Sequence, residues 1–112
     1  MSGSDPVVQL KGAYIVIALA GDVDIAVRNQ LLHTYDDAIA LLEVPRLVVD
    51  VSRVTFMDST GVDTLATALN TVSARGGTIS VVGASARIMK LLHITDLDRK
   101  VTVLPEPGFG VA

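Results

Sequence analysis

A serine set between a carboxylate and a threonine, in Asp58-Ser59-Thr60-Gly61, stands where a β-branched run, Leu47 to Val51, gives way to a segment of helical period, Val62 to Ser73. A helix N-terminus carries unsatisfied N–H groups and the positive end of the helix dipole, so a hydroxyl there is well placed to carry a phosphate. Ser59 reads as a switch residue that is modified and not as a nucleophile; the bland alternative is a helix cap. A hydrolase reading fails on spacing. The Gly-x-Ser-x-Gly elbow is absent around Ser59, and no motif brings His33 or His93 beside it. Neither Gly-x-x-x-x-Gly-Lys-Ser/Thr nor Gly-x-Gly-x-x-Gly occurs, so no phosphate-cradling loop is expected and the chain does not read as an enzyme.

The elements that must position Ser59 alternate between β-branched and helical segments, which argues for an α/β fold: a mixed, mostly parallel sheet of about four to five strands with helices mainly on one side. Pro6 to Leu10 and Tyr14 to Ala20 predict an antiparallel hairpin at the sheet edge. After Gly21, with Asp22 and Asp24 as turn or cap residues, Val27, Leu31, Tyr35, Ala38 and Leu42 recur at helical spacing. Pro45 is expected to stop that helix, and Arg46 to Val51 then reads as a central strand covered on both faces. Phe56 and Met57 are expected to pack under the Ser59 turn.

In the second helix Val62, Leu65, Ala66, Leu69, Val72 and Ser73 share one face, and Asp63, Thr64, Thr67 and Thr71 line the exposed one. Thr60 to Asp63 fits a capping box with Thr60 as N-cap, while Asp58 and Ser59 are alternative caps. Gly76-Gly77 marks the helix end. Thr78 to Gly83 is a further strand, Ser85 caps a third helix reaching about His93, and Arg99 to Leu104 closes the sheet. A βαβ crossover through the second helix places Ser59 at the carboxyl end of a strand, the edge where sites form in open α/β sheets.

The 112 residues, 50% of them hydrophobic, suit a single domain over 1–112 with flexible ends at 1–5 and 105–112. No apolar stretch approaches the about 18 residues that span a bilayer, and the N-terminus does not read as a secretion signal, so cytoplasm is the expected location. With no cysteine, disulfides and thiolate metal sites are excluded, and no cofactor is expected. Net charge is -3 and the basic residues are scattered, which gives nucleic-acid binding no support.

Gly21-Asp22-Val23-Asp24, Leu47 to Ser52 leading into Phe56-Met57-Asp58-Ser59-Thr60-Gly61-Val62, and Gly76-Gly77 together resemble a STAS domain of the anti-sigma factor antagonist family, over nearly the whole chain. The resemblance implies an anti-sigma factor partner that is also a serine kinase of the histidine-kinase-like ATPase type. It further implies phosphorylation of Ser59, a PP2C-type phosphatase that reverses it, and a kinase-facing surface that includes Asp24 and Asp58.

Asp22, Thr60, Gly61, Asp63, Thr64 and Thr67 complete the expected partner surface. Asp63 departs from the small residue more usual in such relatives; it is either a capping-box carboxylate or an added charge that alters partner choice. The competing reading is a STAS module that binds a small ligand or serves as a signalling scaffold with no sigma factor in its circuit.

Overall fold

The computed structural model describes residues 4–104. The chain enters through a hairpin of β1 (Ser4–Lys11) and β2 (Tyr14–Val23), turned by Gly12 at φ 60. A 3-10 turn over Ile25–Val27 leads into α1 (Arg28–Ile39), followed by β3 (Arg46–Met57), α2 (Ser59–Ala74), β4 (Thr78–Val82) and α3 (Ala86–Ile94). A second 3-10 turn, Leu97–Arg99, precedes β5 (Thr102–Leu104). The sheet order is β1-β2-β3-β4-β5; β1 runs antiparallel to β2, and the remaining neighbours are parallel. This is the expected mixed, mostly parallel sheet. The expected flexible ends fall outside the described residues at 1–3 and 105–112, whereas Ser4 and Asp5 belong to β1.

Alternation along the strands decides which face is covered. Ile15, Ile17 and Leu19 of β2, Leu47, Val49 and Val51 of β3, and Ile79 and Val81 of β4 point to one side. They meet Leu31, Tyr35 and Ala38 of α1, Val62, Leu65, Leu69 and Val72 of α2, and Ile88 and Leu92 of α3 in a single buried cluster. Each of the valine, leucine and isoleucine side chains contributes about 1.5–3 kcal/mol by leaving water, so this cluster fixes the helices to that face. On the opposite face Val48 is buried too, at 2% exposed, but Arg46 is exposed and Asp50 half-buried, so the covering of both faces that the apolar run predicts is met only in part.

Several boundaries differ from expectation. α1 ends at Ile39, six residues before Pro45, so proline does not terminate it. The Arg75 guanidinium, reaching across from the end of α2, donates to the carbonyls of Ile39 (2.9 Å), Leu42 (2.8 Å) and Glu43 (3.0 Å) and satisfies the helix end instead. Arg99 and Lys100 lie in the turn before β5, which starts at Thr102. Ser73, expected on the apolar face of α2, is exposed.

The α2 terminus follows the glycine pair as predicted. Gly76 takes φ +74, the Gly76 N–H donates to Ser73 O (3.0 Å) and the Gly77 N–H to Val72 O (2.9 Å), a Schellman closure. A β-carbon at Gly77 would run into the Pro45 carbonyl, whose oxygen accepts the Thr78 N–H at 3.0 Å.

Candidate functional site

β3 outruns its partner β4. The last β3–β4 pair is Asp50 with Val82, and residues 51–57 continue beside β2 alone. Register shifts between Ala18 and Ala20 and between Gly21 and Asp22 let β3 accommodate extra residues as it bends toward α2. The expected strand end at Val51 is therefore corrected: the strand reaches Met57, and a single residue, Asp58, separates it from α2.

That residue is the N-cap. Asp58 Oδ1 accepts the Thr60 N–H at 2.9 Å, and the Asp58 N–H donates to Val23 O at 3.4 Å, tying the helix start to the end of β2. Of the caps weighed from sequence, Asp58 is the one formed, and the Thr60–Asp63 capping box is not. Ser59 is the first residue of α2 and is exposed. Its hydroxyl thus stands at the positive end of the helix dipole without being used as a cap.

Gly61 has a packing reason. A β-carbon there would lie 2.6 Å from Met57 Cγ and 2.9 Å from Val23 Cγ1, so glycine lets the first turn of α2 rest directly on the β2–β3 ends. Thr64 corrects an expectation. It is 1% exposed, and its hydroxyl donates to Gly61 O at 2.7 Å. Its position one turn from both Gly61 and Ala68, each buried, draws it into a face of α2 wider than the apolar stripe alone predicts.

The remaining expected residues occupy the rim. Asp24 accepts the Ala26 N–H at 3.0 Å and caps the 3-10 turn, whereas Asp22, the other cap candidate, accepts the Thr55 hydroxyl at 2.9 Å. Asp63 and Thr67 are exposed, Thr67 donating to Asp63 O at 3.0 Å; Thr60 is half-buried. The two ion pairs among the described residues, His93–Asp98 and Arg99–Asp96, involve none of Asp22, Asp24, Asp58 and Asp63, so those charges stand without a cationic partner within 4.0 Å. No group of three or more acidic or histidine side chains converges as a metal site among the described residues.

Two apolar residues near the site escaped the sequence reading. Phe56, expected beneath the turn with Met57, is 42% exposed while Met57 is 8% exposed. Strand alternation was the available signal, since adjacent residues cannot share a face. Ile25, 71% exposed on the 3-10 turn after Asp24, had no periodic signal.

An α/β domain with this strand order and its helices packed on one face has the STAS fold. The chain belongs to the STAS domain family: the family model described as "Mlab, STAS domain" matches residues 7–105. Among solved structures, an anti-sigma factor antagonist from Mycobacterium paratuberculosis superposes with a TM-score of 0.83 at 23% identity, over 99% of this chain and 96% of that one. The Bacillus cell fate determinant SpoIIAA in its phosphorylated form gives 0.70 at 20% identity, over 88% of this chain and 89% of that one. A sulfate transporter family protein from Wolinella succinogenes gives 0.70 at 20% identity, over 90% of this chain and 82% of that one. At these identities the likeness is one of fold. No described helix is long and apolar enough to cross a membrane.

Proposed function

We propose that this protein is an anti-sigma factor antagonist, a cytoplasmic phosphoprotein that regulates transcription in stress responses by partner switching on Ser59. The observation that carries the reading is an exposed serine as first residue of α2, with its neighbour Asp58 already engaged as cap. In the unmodified state the rim around Ser59 binds an anti-sigma factor that is also a serine kinase of the histidine-kinase-like ATPase type, and a sigma factor is released. That kinase phosphorylates Ser59, and a PP2C-type phosphatase restores it. SpoIIAA, whose fold this chain shares, is an anti-sigma factor antagonist solved in both unphosphorylated and phosphorylated forms, which supports the analogy.

The physics favours an interfacial switch over a refolding one. A phosphate on Ser59 brings about -1.5 to -2 charges. The helix dipole favours it by roughly 0.3–1 kcal/mol, and the carboxylates of Asp58 and Asp63 oppose it. Against a partner surface the same charge, desolvated or facing like charge, costs several kcal/mol, and each about 1.4 kcal/mol is tenfold in affinity. Asp22, Asp24, Asp63 and Thr67 are the contacts we assign around Ser59; Gly61 and Thr64, both buried, support them from beneath.

A second reading, a STAS module that binds a small ligand or acts as a scaffold, draws on the transporter-family protein of the same fold. Affinity capture from the native cytosol with wild type, Ser59→Ala and Ser59→Asp, read by mass spectrometry, separates them. Recovery of a histidine-kinase-like ATPase by wild type and Ser59→Ala but not Ser59→Asp supports the switch. Equal capture by all, or none of such a kinase, moves the assignment to the second reading.

A further inference from the structure

We propose that β1 pairs with β1 of a second copy, antiparallel and about a two-fold axis at Gln9, to form a dimer with one continuous sheet. This inference is independent of the reading of Ser59. β1 is the sheet edge, and among the described residues it pairs with β2 alone. Native edges are usually blunted by charge, proline or bulges. Here Pro6 and the register irregularity lie between Ser4 and Val7, and Lys11 lies at the other end. Val7, Val8, Gln9 and Leu10 between them are regular and exposed, with Val7 at 54% and Leu10 at 56%.

The hairpin turn sets the phase of this edge. Lys11 and Tyr14 flank the two-residue loop Gly12-Ala13, so they form its hydrogen-bonded pair and Lys11 directs its main chain toward β2. Counting back without a register shift, Gln9 and Val7 do the same, and the N–H and C=O groups of Val8 and Leu10 point outward. An axis at Gln9 sets Val8 of one copy opposite Leu10 of the other, so the outward groups exchange hydrogen bonds in both directions.

The side chains match in the same register. Val8 and Leu10, on the helix-covered face with Ile17 and Ile15, meet Leu10 and Val8 of the second copy and cover exposed apolar surface. Gln9 meets Gln9 on the opposite face, where each amide can donate to the other. Lys11 meets Val7, so no like charges stand opposite. Neighbouring registers do worse. An axis at Val8 opposes Leu10 to Pro6, which has no N–H to donate, and an axis at Leu10 opposes Val8 to the turn at Gly12. The pairing leaves the carboxyl edge with Ser59 uncovered in both copies, so a dimer presents two partner sites at once.

The test exploits the absence of cysteine. Gln9→Cys places thiols on the axis at a non-hydrogen-bonded pair, whose Cα separation of about 4.5 Å suits a disulfide. Asn29→Cys, exposed on α1, reports chance collision. Mild oxidation of the full chain should link Gln9→Cys into dimers well beyond Asn29→Cys, and sedimentation equilibrium of wild type should show mass rising toward twice the monomer with concentration. Val8→Pro removes half of the main-chain bonds across the axis, without an intrachain donor being lost, and should raise the dimer dissociation constant roughly tenfold or more. A wild type that stays monomeric as concentration rises overturns the proposal, as does linking of Gln9→Cys no greater than of Asn29→Cys, or a dimer unaffected by Val8→Pro with native circular dichroism.

Discussion

Asp58 Oδ1 holds the Thr60 N–H at 2.9 Å, one residue beyond Ser59, so the carboxylate beside the candidate phosphoacceptor is already committed to the start of α2. Asp58→Ala should cost about 1 kcal/mol of stability by urea unfolding, and Asp58→Asn, which keeps an accepting oxygen, should recover most of it. Capture of a partner by Asp58→Asn then separates capping from recognition: retained binding assigns the residue to the helix, lost binding to the interface.

Ser59→Asp adds a charge at the same helix start, where the dipole favours it and Asp63 opposes it. Its unfolding free energy should lie within about 1 kcal/mol of wild type. A larger loss would mean that modification acts on the fold itself.

Thr64 is buried and its hydroxyl is bonded within its own helix, to Gly61 O. Thr64→Val should change stability by about 1 kcal/mol or less, because the carbonyl keeps other lone-pair partners and the shape is conserved, and should leave partner capture unchanged. Weakened capture at unchanged stability would return Thr64 to the contact surface.

The two glycines ending α2 should respond differently. Gly76→Ala meets open space at φ +74 and costs roughly 1–2 kcal/mol of backbone strain. Gly77→Ala drives a methyl into the Pro45 carbonyl and should cost more, with a lower melting temperature than Gly76→Ala.

Burial, with Tyr35 only 2% exposed, pushes its phenol well above the ordinary tyrosine range. A group whose folded pKa is raised contributes stability that is complete below its unfolded pKa, about 10, and is lost as pH rises beyond it. In a Tyr14→Phe background Tyr35 is the remaining tyrosine. Its tyrosinate absorbance should then appear together with loss of far-ultraviolet circular dichroism on alkaline titration. Ionisation in a folded protein near pH 10 would contradict the burial argument.

The elements with a clear period or a punctuating residue were legible from the sequence. The hairpin at Gly12, the parallel crossover from β3 to β4, the Ser85 cap and the Gly76-Gly77 stop all follow from local rules. Three features did not, each for a tertiary reason. The continuation of β3 through Ser52, Arg53 and Thr55 is masked by polar residues and two register shifts, which break the alternation that marks a strand. The segment that leaves α1 is held by Arg75, a side chain more than thirty residues away in sequence. Thr64 is polar by composition but is drawn inward by the close approach of α2 that Gly61 permits. At the candidate site, the position of Ser59 was legible and the identity of its cap was one of three open choices.

The overhang of β3 beyond β4 also divides the molecule by cooperativity. Leu47 to Asp50 are clamped by strands on both flanks, whereas Val54 to Met57 are paired on one side only. Hydrogen exchange at the latter should proceed through a small opening that leaves the centre of the sheet intact. The end of β3 that leads into Ser59 should thus behave as a shallower unit of stability, able to loosen without the fold being risked.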